Sequence, residues 1–198
     1  QLMTFVKHTA PPRHLPAYKL GVRDLLLEDL DTALKRDPAA RGRLEVALTY
    51  PGVHALWAHR LSNRFWVNGF KMMARLIQEF ARLITGVDIH PAATIGRLLF
   101  IDHATGVVIG ETAVVGEDCL IFHGVTLGGQ SMNKGKRHPT LGNEVMVGAG
   151  AKILGAINIG DGAKIGANAV VVKDVPAGRI ALGVPAKLRN PKKPVSPD

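Results

Sequence analysis

Residues 147–171 read VGAGAKILGAINIGDGAKIGANAVV, with an aliphatic residue at every sixth position. Val147, Ile153, Ile159, Ile165 and Val171 hold those positions, and Gly follows at 148, 160 and 166. A period of six fits neither the 3.6-residue turn of a helix nor the alternation of a half-buried strand. It fits a parallel β-helix in which three hexapeptides make one triangular coil. The aliphatic side chain points into the prism, small residues fit beside it, and glycine helps the chain turn the corners.

The series continues toward the N-terminus. Leu141 belongs to the same set, Ile109, Val115, Ile121 and Leu127 form a second, and Ile89, Ile95 and Ile101 a third. Two steps break the rhythm. From Ile101 to Ile109 the step is eight, and it follows directly on Asp102-His103. From Leu127 to Leu141 it is fourteen, which reads as two hexapeptides plus two residues, with Gln130 to His138 thrown out as a polar, basic loop. Loops on a rigid scaffold often carry function.

Before Val87 the period is helical. Leu20, Leu26, Leu27, Leu30 and Leu34 predict a helix over 18–36, ended by Asp37-Pro38. A second is expected from about Gly52 to Val67, and a third over 70–85 with Met73, Leu76, Ile77, Phe80, Leu83 and Ile84 on one side and Gly86 as its stop. Trp57, Phe65, Trp66 and Phe70 are the expected helical core, and residues 1–17 are Pro-rich and irregular. The fold class is therefore α+β: a helical domain over 1–86, a left-handed parallel β-helix with one extruded loop over 87–188, and a tail over 189–198. The helices are expected to cap the first coil, and the flat faces to pack as a threefold assembly.

The net charge of +9 suits anionic partners. The basic residues are scattered and aromatics make up only 5% of the chain, so nucleic acid is not expected. The densest runs, Lys134 to His138 and Lys187 to Lys193, suit a nucleotide-like ligand with several phosphates. No apolar run reaches the roughly 18 residues of a membrane span. The N-terminal residues show no secretory signal pattern. The one cysteine, Cys119, fills a small-residue slot of a hexapeptide, so a structural thiol and a cytoplasmic location are expected.

A repeat needs no imidazole to fold, so His90, His103, His123 and His138 need an explanation. His90 and His123 read as structural. Asp88 precedes His103 by fifteen residues, less than one coil of about eighteen, which places the two near one corner. A carboxylate there would accept the Nδ1 proton and leave Nε2 as a base toward a weakly acidic hydroxyl. No GxSxG elbow is present, so direct attack by a substrate hydroxyl fits better than a covalent intermediate. The competing use, a metal held by His103, His123 and His138, is disfavoured by Lys134, Lys136 and Arg137 around His138, and no metal is expected.

At these residues the sequence resembles the serine O-acetyltransferase family. The resemblance runs through VDIHPAATIG (87–96), IDHATGVVIGETAVVG (101–116), HGVTLGG (123–129), KRHPTLG (136–142), VGAGAKILG (147–155), IGANAVVVKDVP (165–176) and GVPAK (183–187). Arg36-Asp37-Pro38-Ala39 and Tyr50-Pro51-Gly52-Val53-His54-Ala55 join it from the helical part. It implies His103 as general base with Asp88 as partner. His138 and Arg137, from a neighbouring subunit, would meet the substrate carboxylate and the developing oxyanion. Asp37 and Asp102 would hold the substrate ammonium. Gly128, Gly129, Ala149, Gly150, Lys164 and Ala167 would line the acetyl-CoA groove. L-Serine and acetyl-CoA are the implied substrates, L-cysteine the implied feedback inhibitor, and a homotrimer or a dimer of trimers the implied assembly. The chain ends Pro194-Val195-Ser196-Pro197-Asp198 rather than in the family's isoleucine-terminated tail, so a complex with O-acetylserine sulfhydrylase is not expected. Homoserine or a sugar as acceptor, a metal-dependent hydratase and a binding solenoid are the alternatives.

Overall fold

The computed structural model describes residues 21–190. Four helices come first among them: α1 (Val22–Arg36), α2 (Arg43–Thr49), α3 (Pro51–Val67) and α4 (Lys71–Thr85). Gly86, in the left-handed conformation, ends α4 and starts a triangular solenoid.

The first face stacks β1 (Asp88–Ile89), β4 (Val108–Ile109), β7 (Thr126–Gly128), β10 (Lys152–Leu154) and β13 (Val170–Val171). The second stacks β2 (Thr94–Ile95), β5 (Val114–Val115), β8 (Thr140–Leu141) and β11 (Asn158–Ile159). The third stacks β3 (Phe100–Asp102), β6 (Leu120–Phe122), β9 (Met146–Val147), β12 (Lys164–Ile165) and β14 (Ile180–Leu182). There β15 (Lys187–Arg189) folds back antiparallel on β14. The fold is the expected α+β arrangement with a left-handed β-helix. All thirteen heading residues lie in one buried core. Burying each such side chain contributes roughly 1.5–3 kcal/mol.

The register shows where the rhythm breaks. Leu141 pairs with Ile159 and Val147 with Ile165, eighteen residues apart. Ile89 pairs with Ile109 and Ile101 with Ile121, a coil of twenty. Val115 pairs with Leu141 and Leu127 with Ile153, a coil of twenty-six. The step of fourteen is thus one face-to-face step with eight residues thrown out, not two hexapeptides. The excursion is 130–137; with Val114 opposite Thr140, His138 falls back on the coil directly over Thr112.

The helices cover the first coil. Ala55 and Leu56 of α3 join the solenoid core. Pro51 starts α3 at the position where a missing N–H costs nothing, and Gly52 follows because a Cβ there would strike the Ile101 carbonyl oxygen. The outer side of β3 and β6, through Phe100 and Leu120, packs on Leu30, Ala33, Val46 and Val53. Ion pairs tie α1 down: Arg36 to Asp118 (2.5 Å), Arg97 to Glu28 (2.8 Å), and Arg60 to the fully buried Asp29 carboxylate (2.5 Å). Breaking the last would strand a buried charge at a cost of about 3–5 kcal/mol.

The helical part departs from expectation in three ways. The first helix is described from Val22, with Gly21 at its N-cap, and the expected start over Tyr18 to Leu20 lies outside the described residues, as do 1–17 and 191–198. The short α2 has too few residues to show a period. Trp57, Phe65 and Trp66 are only half-buried and Phe70 is exposed; the core is built instead from Val46, Val53, Ala55 and Leu56. The α4 stripe faces outward: Met73, Leu76, Phe80, Leu83 and Ile84 are exposed and Ile77 is half-buried, while Ala74, Gln78, Ala81 and Thr85 are buried. Its small residues let α4 come close to α3, and the large ones take the open side.

His59 on α3 is wholly buried, and burial pushes its imidazole down to about 3. The native chain keeps it neutral, whereas the unfolded chain protonates it near 6.5. Its contribution to stability is therefore full above about pH 6.5 and is lost progressively as pH falls toward 3. Urea denaturation at stepped pH should show a shallower acid decline for His59→Leu than for the parent. Parallel declines would contradict the burial of a neutral imidazole.

Candidate active site

The surplus residues after β3 can be identified. Asp102 pairs with Phe122, and the Gly124 N–H donates to the Thr105 carbonyl (2.9 Å), so His103 and Ala104 have no counterpart in the next coil. Both take left-handed backbone, φ 56° and 50°. For non-glycine residues such backbone costs of order 1–3 kcal/mol each. Two short bonds hold the bulge: Thr105 N–H to the His103 carbonyl (2.5 Å) and Val107 N–H to the Ala104 carbonyl (3.1 Å). The imidazole is carried out of the coil to 74% exposure, edge-on to the His123 ring at 5.8 Å.

One carboxylate lies beside it and a second within electrostatic range. Asp102 Oδ2 lies 3.9 Å from His103 Nε2. Asp37 caps the end of α1, kept out of helical backbone by Pro38. Its Oδ1 accepts from the Ala39 N–H (2.8 Å) and its Oδ2 from the Tyr50 hydroxyl (2.6 Å). That hydroxyl holds the Asp37 carboxyl below the usual carboxylate range, with Ala39 and then His103 adding to the effect. In return Asp37 pushes the Tyr50 phenol up to about 12, burial, Glu45 and Asp102 contributing. Tyr50 ends α2 and precedes α3, so its backbone is set by both helices. Asp102 thus lies beside His103, and Asp37 lies close enough for the imidazole to act on its charge.

The contact expected between Asp88 and His103 does not form. Among the described residues the carboxylate within 4 Å of the ring is Asp102, while Asp88 lies on β1 opposite Val108. The spacing argument assumed a coil of eighteen, but this coil has twenty, and the extra pair lifts the imidazole away.

His138 stands elsewhere. His103 lies between the third and first faces, whereas His138 lies between the first and second. His138 is buried, its ring wedged against Gly110 and Gly129, where a Cβ would collide with or crowd it. Burial and then Arg137 lower its pKa, against the pull of Glu111. Arg137 pairs with Glu111 (2.5 Å), and Lys136 Nζ donates to the Thr112 carbonyl (2.7 Å), burial lowering that ammonium to about 8. Cys119 is buried, its thiol pushed up to about 11 by desolvation and donating to the Gly142 carbonyl (3.2 Å), which suits packing and not attack.

Comparison with known proteins bears on this arrangement. Residues 138–173 match the family described as bacterial transferase hexapeptide (six repeats). The serine acetyltransferase of Mycobacterium tuberculosis is 58% identical over 166 residues, 84% of this chain and 72% of the relative. That of Helicobacter pylori is 59% identical over 158 residues, 80% of this chain and 92% of the relative. The chain belongs to the serine acetyltransferase family. The crystal structure of the Neisseria gonorrhoeae serine acetyltransferase in complex with serine superposes with a TM-score of 0.82 at 48% identity, over 85% of this chain and 69% of that one. A serine acetyltransferase in complex with cysteine gives 0.82 at 44% identity, over 85% and 70%.

The groove residues that the family resemblance singled out are divided within one chain. Ala149, Gly150 and Ala167 continue the His103 corner, because the Gly150 N–H donates to the His123 carbonyl (2.9 Å) and the Asn168 N–H to the Ala149 carbonyl (2.8 Å). Gly128 and Gly129 sit at the His138 corner, and Lys164 on the third face opposite Met146 and Ile180. Three residues that touch these groups were not singled out by sequence: Tyr50, Glu111 and Thr112. Tyr50 and Thr112 lie inside family motifs, but nothing in the six-residue period separates their side chains from ordinary surface positions.

The Asp37–Tyr50 bond can be read directly. In Asp37→Ala the Tyr50 phenol should titrate below its parent value of about 12 and move toward the ordinary range, shifting phenolate absorbance to lower pH, while burial, Glu45 and Asp102 keep part of the elevation. An unchanged titration would mean the bond does not exist in solution.

Proposed function

We propose that the chain transfers the acetyl group of acetyl-CoA to the hydroxyl of L-serine, giving O-acetyl-L-serine and CoA. The observation that carries this reading is the exposed His103 imidazole beside the Asp102 carboxylate and within electrostatic range of Asp37, with a second corner on the same scaffold carrying the Arg137 cation and His138. A zwitterionic amino acid needs an anionic clamp and a cationic clamp, and a base beside the anionic one falls at its side-chain hydroxyl. The family membership and the serine-bound relative support the same substrate.

In this reading His103 takes the proton of the serine hydroxyl as that oxygen attacks the thioester carbonyl. Asp37 and Asp102 hold the ammonium, and Arg137 the carboxylate. The tetrahedral oxyanion accepts hydrogen bonds from His138, with Arg137 adding positive charge. Collapse breaks the C–S bond, and the CoA thiolate recovers the proton from His103. Asp88 is the carboxylate that orients the ring once it turns on substrate binding, since catalytic hydrogen bonds are often long in the unliganded enzyme. Acetyl-CoA runs along Ala149, Gly150 and Ala167 of one chain and Gly128–Gly129 of the next, with Lys164 for a phosphate.

His103 and His138 occupy different corners of one prism, so a single chain cannot bring both to one substrate. A homotrimer, alone or doubled, completes the site by setting the His103 corner of one copy against the loop corner of its neighbour. The helical domain, residues 1–86, then supplies Asp37, and residues 87–188 supply the catalytic solenoid. L-Cysteine, with the same ammonium and carboxylate, is the inhibitor this pocket accepts, and a cytoplasmic pool supplies both amino acids.

Thiol release from acetyl-CoA tests the reaction, with L-serine, L-homoserine, a sugar and no acceptor side by side. Release with L-serine alone is the expected result; release with the sugar alone would discard the amino-acid clamps. His103→Ala should lower kcat by roughly 10²–10⁴ while acetyl-CoA binding is retained. Mixing His103→Ala with His138→Ala chains should restore about a quarter of the parent activity through sites built from both chains. No restoration would refute the shared site. Asp37→Ala should raise the KM for serine far more than that for acetyl-CoA; an equal rise in both would remove Asp37 from the ammonium clamp.

A further inference from the structure

The coil of twenty-six residues drops His138 directly over Thr112 of the preceding coil, and the contacts there are unusually dense. Thr112 Oγ1 accepts the backbone N–H groups of Arg137 (3.0 Å) and His138 (3.1 Å). Those two bonds occupy both lone pairs of the hydroxyl. Its remaining hydrogen lies 2.9 Å, heavy atom to heavy atom, from His138 Nδ1. The Thr112 backbone N–H points at the same nitrogen (3.2 Å). Nδ1 has a single lone pair in the imidazole plane, and two donors converge on it.

The geometry points to Thr112 as the positioning residue that fixes His138 as a neutral imidazole with its proton on Nε2, making it a hydrogen-bond donor to the reaction rather than a base. A neutral imidazole that accepts at Nδ1 must carry its proton at Nε2. Nε2 has no partner among the described residues, so this donor is open toward whatever enters the corner. Turning the ring over would place a C–H against both Thr112 donors, and Gly110 and Gly129 press on the ring from either side. Arg137 and Lys136 oppose a second proton, Glu111 favours one, and burial decides for the neutral form. The same hydroxyl also fixes the backbone from which Arg137 projects, while Glu111 holds its guanidinium. One threonine therefore registers both cationic-side groups of the site.

The division of labour follows from surroundings. His103 is exposed beside Asp102 and suits a base, whereas His138 is buried beside cations and suits a neutral donor. In the transition state such a donor strengthens as charge develops on the carbonyl oxygen. The functional part of this inference rests on the acetyl-transfer reading; the tautomer does not.

The test has two arms. Histidine 15N NMR of the intact assembly, with the His138 signal assigned by its loss in His138→Gln, should show a protonated Nε2 and an unprotonated Nδ1 near neutral pH. A signal from Nδ1–H or from imidazolium would overturn the inference whatever the enzyme does. Thr112→Val keeps the shape and removes the hydroxyl. It should lower kcat by about 10–100-fold and raise the KM for serine, with the KM for acetyl-CoA nearly unchanged. Thr112→Ser should recover both within a few-fold. Parent-like kinetics in Thr112→Val, or a Thr112→Ser enzyme as impaired as Thr112→Val, would overturn the positioning role. Should Thr112→Val fail to fold, the parent spectrum and Thr112→Ser still decide. A parent with no serine-dependent thiol release would sink the reaction proposed above, while the NMR arm would still judge the tautomer.

Discussion

Every sixth residue of the solenoid has to fill the prism. That single demand sets the position of everything else in this protein. A coil can neither lose a heading residue nor shift by one without exposing its apolar column, so the faces tolerate no insertion. Extra chain can leave only at corners. Both insertions, two residues after β3 and eight after β7, are at corners, as is the two-residue shortening after β13; the first insertion contains His103 and the second sets the chain back on the coil at His138. A rigid three-sided prism is well suited to this, because a bulge at one corner leaves the registers of the three faces intact.

The two excursions have opposite chemical characters. The short one stays local, stores backbone strain at His103 and Ala104, and pushes an imidazole into solvent beside Asp102 and within electrostatic range of Asp37. The long one carries cations outward and then returns to the coil at His138, which is buried on landing. Strain is tolerable in the first case because the next coil on one side, through β6, and the helices and Gly86 on the other over-determine the corner. The second needs a landing point, and the Thr112 hydroxyl supplies it. In the proposed reading each corner holds half of an amino-acid site, which would give the chain a physical reason to act beside a second copy of itself.

The helical part contributes less core than its aromatics suggest and more to the site. Its closest approach to the solenoid is glycine against carbonyl at Gly52 and Ile101, with Ala55 and Leu56 plugging the open end. The large apolar residues of α4 remain outside because Ala74 and Ala81 make the contact with α3. A period of 3.6 shows that a helix has two sides, but which side meets a neighbour depends on how closely the backbones can approach. Asp37 stands within electrostatic range of His103 because Pro38 breaks α1 there and because Tyr50, wedged between α2 and α3, holds the carboxylate in place.

By itself the sequence determined the β-helix, its thirteen core positions and the two places where the chain leaves it, since a periodic apolar pattern is a local property that no neighbour can disguise. It also marked Asp102, His103 and the basic loop with Arg137 and His138, because polar groups interrupt that pattern, whereas Asp37, in the helical part, was marked only by the resemblance to the serine O-acetyltransferase family. Only the tertiary structure decided which carboxylate lies nearest His103, that His138 belongs to the coil and not to the loop, and that Thr112 and Tyr50 position the groups around them. Those outcomes depend on register between coils twenty and twenty-six residues long, and stacking decides register, not the order of residues along the chain.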